Sequence, residues 1–251
     1  MKTYSLIAFD LDDTLAPSKS ALPEPMAVAL RRLLDVAEVC VISGGKTDQF
    51  YTQLLNNLDA TPDQLARLHL MPTCGTRYLR HRDGQWQPLY VRDLTDDERA
   101  EAKRVLEEEA RRLGLWEEDP WGPILEDRGS QITFSALGQQ APLAAKKAWD
   151  PDGTKKETLR AAVAPLLPHL EVRSGGSTSI DVTQKGVDKA YGIAELSEHT
   201  GIPISDMAFV GDRLDEGGND YPVLRLGIDA FPVADWKETV TLIDDYLAHR
   251  A

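Results

Sequence analysis

Leu6-Ile7-Ala8-Phe9-Asp10-Leu11-Asp12-Asp13-Thr14-Leu15 passes abruptly from an apolar run to three carboxylates. The apolar part is too short for a helix and reads as a parallel strand buried on both faces. In open α/β sheets ligands bind beyond the carboxyl ends of the strands, so Asp10 falls at the mouth of a site and Asp12 just past it in the loop. Carboxylates gathered there are costly unless a cation meets them. Mg²⁺, which takes hard oxygen ligands and keeps part of its water shell, suits the place. Asp10 can act as a nucleophile that forms an aspartyl-phosphate, while Asp12 protonates the leaving oxygen and later activates water. Over this stretch alone, a calcium-like acidic loop or a solvated turn would look the same.

Working outward, Pro23 and Pro25 open a helix carrying Met26, Val28, Leu30, Leu33 and Leu34, and 36–42 reads as a second buried strand. That strand stops at Ser43-Gly44-Gly45, ahead of a helical pattern over 46–58. A serine followed by glycines lets a hydroxyl and bare backbone N–H groups face one oxyanion, although Ser43 is equally the residue type of a plain helix cap. A short helix at Thr61-Pro62, a third strand over 68–73 and a hairpin turning at Asp83-Gly84 follow. Much further on, 207–212 repeats the opening logic, an apolar strand ending in Asp212, with Gly217-Gly218-Asn219-Asp220 behind it. Between them Lys189 falls in the first turn of a helix that Gly201 ends, where the helix dipole disfavours a cation and something else should want it. Lys185 is its rival. Gly227 to Ala230 suggests a last strand, and Asp235 with Glu238 caps a C-terminal helix.

The 251 residues suffice for one sizeable core with a smaller inserted domain. A hydrophobic content of 42% with 27% charged residues is that of an ordinary globular protein. Net charge is −13, from 41 acidic and 28 basic residues, and such a surface repels phosphate backbones. Nucleic acid and anionic membranes are therefore poor partners, and a small phosphorylated substrate would need a local basic pocket and a metal. Cys40 and Cys74, both in apolar strand-like runs, read as buried reduced thiols. With no signal-peptide pattern and no 18-residue apolar stretch, the expected compartment is the cytoplasm.

The intervening segment, 88–184, reads as an insertion. Thr95 and Glu98 make a capping-box pattern for a helix running to about Leu113, with Gly114 after it. Two hairpins follow, 124–129 with 131–136 and 170–173 with 178–183, the second turning at Gly175-Gly176, and helical patterns lie between them. Ile132, Phe134 and Ala136 alternate with Gln131, Thr133 and Ser135, giving one apolar and one polar face. The insert is expected to be a small antiparallel sheet with helices on one side.

The order Asp10-x-Asp12-x-Thr14, Ser43, Lys189, Asp212 resembles the four motifs of the haloacid dehalogenase-like superfamily, and the insert has the place of its type IIB α/β cap. Within that branch the chain is most similar to the eukaryotic-type phosphomannomutases, through 125–138, Arg173-Ser174-Gly175-Gly176 leading into Ser179-Ile180-Asp181, and Gly217 to Asp220. The resemblance implies a Rossmann-like doubly wound parallel core over 1–87 and 185–251 with the cap over 88–184. It also implies Asp10, Asp12 and Lys189 as catalytic residues, and Ser43, Gly44 and Lys189 as phosphate ligands. Mg²⁺ would be held by Asp10, the Asp12 carbonyl and Asp212, with Asn219 or Asp220 holding waters or orienting ligands. From the cap, Arg128, Ser179 and Asp181 would contact a sugar phosphate, although an Arg closing a hairpin can equally face water.

Two departures bear on the reaction. Gln139 stands where the phosphomannomutases have an arginine, and Asp13 where the superfamily usually has glycine. A mutase needs a second phosphate site so that a bisphosphate intermediate can turn, and Gln139 removes a charge from it. The expectation is thus a sugar-phosphate phosphatase, with a phosphohexomutase as the alternative and a non-catalytic sugar-phosphate-binding protein as the second. Asp12 argues against dehalogenation and the net charge against a nucleic-acid phosphatase. A monomer or a cap-mediated homodimer fits equally.

Overall fold

The computed structural model describes residues 2–250, and the chain forms two compact units, one up to Val91 and again from Asp188 onward, the other Arg92–Val187. In chain order the strands are β1 (Leu6–Phe9), β2 (Glu38–Ile42), β3 (Leu68–Met71), β4 (Arg77–Arg82), β5 (Gln85–Val91), β6 (Leu125–Asp127), β7 (Gln131–Ser135), β8 (Leu170–Ser174), β9 (Ser179–Gln184), β10 (Met207–Gly211) and β11 (Asp229–Pro232). The helices are α1 (Glu24–Leu34), α2 (Thr47–Gln49), α3 (Asn56–Leu58), α4 (Pro62–Leu65), α5 (Asp96–Arg112), α6 (Leu143–Trp149), α7 (Thr154–Val163), α8 (Lys189–Thr200) and α9 (Trp236–Ala248). None is long and apolar enough to cross a membrane.

In the first unit the strand order is β11-β10-β1-β2-β3-β4-β5. The five strands from β11 to β3 run parallel, and β4 and β5 add an antiparallel edge. Every residue of β1, β3 and β10 is buried, which is why β1 and β10 carry unbroken apolar runs and β3 is interrupted only by the buried His69, where an alternating pattern would mark a half-exposed strand. Phe9 pairs with Val41 on one side and Val210 on the other, so the residues just beyond all three strands emerge along one edge. Helix α1 buries Met26, Ala27, Ala29, Leu30, Leu33 and Leu34, leaving Val28 exposed. Truncating a leucine such as Leu30 there removes about 2–5 kcal/mol.

Three local expectations are corrected. Strand β3 ends at Met71, short of Thr73, because Pro72 has no N–H to continue the ladder. Cys74 lies in a 3-10 turn at φ +54, half-buried, and only Cys40 is buried on a strand. The helical stretch after Ser43 is interrupted by a π-helical segment, Phe50–Leu55, between α2 and α3. The turn at 73–75 also seats α8. A Cβ on Gly75 would fall 2.5 Å from the Gly192 Cα, and one on Gly192 would fall 2.7 Å from the Cys74 carbonyl oxygen. Both positions need glycine for backbones to approach so closely.

A buried polar group lies at β2–β4. His69, fully buried, places Nδ1 2.6 Å from the Tyr78 hydroxyl and Nε2 against the Glu38 carboxylate, with Arg80 beside both rings. Neutral imidazole satisfies this set if Nε2–H donates to Glu38 and Nδ1 accepts from Tyr78. Burial lowers the His69 pKa and outweighs the opposing pull of Glu38, while the hydrogen bond from His69 holds Glu38 below its usual range. Since the folded pKa of His69 lies below the unfolded value, the unfolded chain binds the extra proton, and stability falls as pH drops through about 6.5. Below about 4.5 Glu38 adds its own loss. Relative to His69→Gln, the wild-type urea midpoint is expected to fall between about pH 7.5 and about pH 5.5.

The second unit is an antiparallel sheet in the order β6-β7-β9-β8. Ile132, Phe134, Ile180 and Val182 pack with Ala102, Val105 and Leu106 of α5 and Leu159 and Val163 of α7. Thr95 and Glu98 form the capping box that starts α5, each side chain bonding the other's backbone N–H. On the opposite face the cross-strand partners are Thr133, Asp181 and Arg173 in one row, Ser135 and Ser179 in another.

Candidate active site

Asp10 follows β1 directly, is only 3% exposed, and donates its backbone N–H to the Val210 carbonyl at 3.0 Å. Its carboxylate accepts from the Lys189 ammonium, which also donates to Asp220 Oδ1 at 2.6 Å. Lys189 and Asp220 are themselves sealed from solvent. Asp212, one residue past β10, joins them: Asp10, Asp212 and Asp220 each present a carboxylate oxygen within 4.8 Å of the others. Thr14 fixes Asp212 by donating its hydroxyl to Oδ1 at 3.2 Å and accepting the Asp212 N–H at 3.1 Å, which ties the loop after β1 to the loop after β10.

The electrostatics follow from burial. Desolvation pushes Asp10 up to about 7, against the attraction of Lys189 and with the repulsion of Asp220. Desolvation and Asp220 also raise Asp212. Lys189 resists its own desolvation because Asp10 and Asp220 hold it charged. The buried Asp10 and Asp220 and the half-buried Asp212 thus gather around one ammonium, and the surplus negative charge on their converging hard oxygens could hold a divalent cation.

Two devices place Lys189. Asp188 caps α8 by accepting the Tyr191 N–H at 3.0 Å, and Arg225 grips the Asp188 carboxylate at 2.7 and 2.8 Å. Asp220 is anchored in turn by the Arg213 N–H at 3.0 Å. The disfavoured cation at the start of α8 is therefore repaid by two buried carboxylates. Lys185 and Asn219 are exposed.

Ser43 ends the neighbouring strand and is 4% exposed; its hydroxyl oxygen accepts the Gly45 N–H at 3.1 Å, with Gly44 half-buried between. Asp12 is not part of the carboxylate cluster. Its carboxylate meets Lys19, Gln49 and Gln53, and although burial raises its pKa, the Lys19 charge and these hydrogen bonds bring it below the usual range. Asp13 sits at φ +62, the left-handed region that glycine adopts freely, and its carboxylate accepts the Ser18 N–H at 3.0 Å.

In the second unit Arg128 donates to Glu126 at 2.8 Å, Asp181 accepts from Thr133 at 2.7 Å, and Ser179 meets Ser135 at 3.1 Å. Gln139 buries its Nε2 without a partner in the protein, while its carbonyl accepts from Lys146 at 3.0 Å.

Residues 138–228 match the haloacid dehalogenase-like hydrolase family. Over 251 aligned residues the chain is 24% identical to the phosphomannomutase of Encephalitozoon cuniculi, covering 97% of this chain and 93% of that protein. Its fold is similar to a haloacid dehalogenase-like hydrolase from Bacteroides thetaiotaomicron (TM-score 0.67, 16% identity, 97% and 99% of the two chains). It is also similar to IMP-bound Plasmodium falciparum IMP-nucleotidase (TM-score 0.71, 14% identity, 98% of this chain and 68% of that one).

The chain is similar to the haloacid dehalogenase-like superfamily, in sequence over 138–228 and in fold over nearly its whole length.

The family matched over 138–228 is one of hydrolases, and the aligned relative is a mutase. Of the residues singled out in the sequence, Asp10, Lys189, Asp212 and Asp220 come together, and what surrounds them was overlooked. Arg225 and the direct Lys189–Asp220 pair went unseen, since neither lies in a recognisable spacing. The two glutamines at Asp12 could have been found, because Gln49 and Gln53 are four apart and so share a helix face.

Proposed function

We propose that this protein is a haloacid dehalogenase-like, Mg²⁺-dependent phosphatase of a small phosphorylated metabolite, a sugar phosphate, working through an aspartyl-phosphate on Asp10. The observation that carries this reading is the sealed Asp10–Lys189–Asp220 group with Asp212 beside it. An Asp10 oxygen attacks phosphorus, the bond from phosphorus to the leaving oxygen breaks, and that oxygen takes a proton from Asp12. Water, losing its proton to Asp12, then attacks phosphorus, and the bond to Asp10 breaks to release inorganic phosphate. Lys189 offsets charge between the nucleophile and the phosphoryl oxygens, and Ser43 and Gly44 donate to those oxygens. Mg²⁺, held by Asp10, Asp212 and the Asp12 carbonyl with Asp220 close by, would neutralise developing phosphoryl charge.

Recognition of the sugar falls to Arg128, Ser179 and Asp181. The polar face that carries Thr133, Ser135, Ser179 and Asp181 suits hydroxyl groups, and Arg128 and Arg173 each lie against a glutamate of their own unit, Glu126 and Glu171. Gln139 has no charge to offer a second phosphate, which favours hydrolysis. The similarity to phosphomannomutases supports the alternative, a phosphohexomutase.

A free-phosphate assay over sugar phosphates, polyol phosphates and nucleoside monophosphates tests the reading. Sugar phosphates should release phosphate with Mg²⁺, stop when EDTA removes the metal, and resume when Mg²⁺ is restored. Release that persists in EDTA, or that favours nucleotides alone, would contradict it.

A further inference from the structure

Four hydrogen bonds converge on the carboxylate of Asp12. Oδ1 accepts from the Lys19 N–H at 2.8 Å and from Gln53 Nε2 at 3.1 Å, and Oδ2 accepts from Lys19 Nζ at 2.6 Å and from Gln49 Nε2 at 3.0 Å. The donors also hold one another: Gln49 Nε2 reaches Gln53 Oε1 at 2.9 Å, and Lys19 Nζ reaches Gln49 Oε1 at 2.8 Å. Gln53 is 3% exposed between the buried Phe50 and Leu54, where an apolar side chain would pack without a polar group to satisfy. The π-helical segment Phe50–Leu55 begins at the residue after Gln49, and its wider turn brings both amides to one carboxylate. On the other side, Lys19 adopts φ +57, a conformation strained for any residue with a side chain, and this brings both its N–H and its ammonium back to Asp12. A buried amide, a π-helical turn and a left-handed lysine are thus all directed at one carboxyl group.

We propose that Lys19, Gln49 and Gln53 are positioning residues that fix the direction of the Asp12 carboxyl for proton delivery to the leaving oxygen. This rests on the phosphatase reading above and adds the part of the molecule that aims the acid. Proton delivery depends on the carboxyl being held within hydrogen-bond reach of the departing oxygen, and a carboxyl free to rotate loses that geometry. Esters with good leaving groups need little proton transfer, so they report the rest of the site. Esters with poor leaving groups report the acid.

The test is a series of ring-substituted phenyl phosphates, from p-nitrophenyl phosphate to phenyl phosphate, turned over by wild type and by Lys19→Met, Lys19→Arg, Gln49→Met and Gln53→Met. Lys19 is exposed and Gln49 only half-buried, so the first three variants keep the fold even if the Gln53 variant does not. Expected is a steeper dependence of kcat on leaving-group pKa, with phenyl phosphate losing about tenfold more than p-nitrophenyl phosphate, KM little changed, and recovery in Lys19→Arg. Adding Lys19→Met to Asp12→Asn should cost nothing further, since the group being aimed is already gone. Equal losses across the series, or additive losses in the double variant, would overturn the positioning role while leaving the phosphatase reading intact. A wild type that turns over no ester, or an Asp10→Asn variant that keeps full activity, would overturn that reading and the positioning role with it.

Discussion

Asp10→Asn should abolish turnover, by roughly 10⁴-fold or more, the scale on which enzymes lose rate when the attacking group itself is removed. The amide keeps the size of the side chain and an acceptor oxygen for Lys189, but it has no lone pair of comparable nucleophilicity and cannot form an acyl phosphate that water reopens. The same substitution should spare the fold. Burial has pushed Asp10 up to about 7, far above an ordinary aspartate, so at neutral pH its charge opposes folding of the metal-free protein. Sign matters here: a carboxyl whose folded pKa is raised stabilises the protein when protonated and loses that contribution as pH rises through the folded value. The thermal midpoint of Asp10→Asn in metal-free buffer above neutral pH should therefore equal or exceed that of wild type. A variant that is inactive because it is unfolded would show the opposite.

Lys189→Met is expected to do harm on both counts. Its ammonium is wholly buried and is shared by Asp10 and Asp220, with Asp212 close to both. Removing the cation leaves buried carboxylates facing one another, a loss of about 3–5 kcal/mol when a buried pair is broken from one side. Turnover should vanish as well, since Lys189 offsets charge on the nucleophile and on the incoming phosphoryl group. Adding Asp10→Asn should recover part of the stability and none of the activity, because one unpaired charge has gone. Urea unfolding of the single and double variants measures this directly; a Lys189→Met protein as stable as wild type would show that the lysine is not the counter-charge of the cluster.

Asp10, Ser43 and Asp212 could be read from sequence because each directly follows an apolar strand, and Lys189 because it opens a helix. Leu6 to Phe9 and Met207 to Gly211 are buried throughout, and an aspartate that ends such a run can only emerge at the carboxyl edge of the sheet. The pairing of Phe9 with Val210 then sets Asp10 beside the end of β10. The capping residues Thr95 and Asp235 were equally plain, since a side-chain acceptor three residues before a matching backbone N–H is a local event. What could not be read was non-local. Asp220 meets Lys189 across 31 positions of chain, and Arg225 meets Asp188 across 37, through loops whose course no periodicity encodes. The hairpin at Asp83-Gly84 announced itself by its turn, but nothing in a hairpin's own sequence says which sheet edge it joins; here it extends the large sheet through β3–β4 pairing. Gln49 and Gln53 share a helix face by their spacing, but that spacing does not say that the face meets Asp12.

The central claim is that the phosphoryl group passes from Asp10 to water. ³¹P NMR of the protein with Mg²⁺ and a hexose 1-phosphate, with and without a trace of hexose 1,6-bisphosphate and with Asp10→Asn as control, follows that group directly. Steady growth of inorganic phosphate, unaffected by the bisphosphate and absent in the variant, is the predicted result. Conversion to the 6-phosphate without free phosphate would contradict it and make the enzyme a mutase.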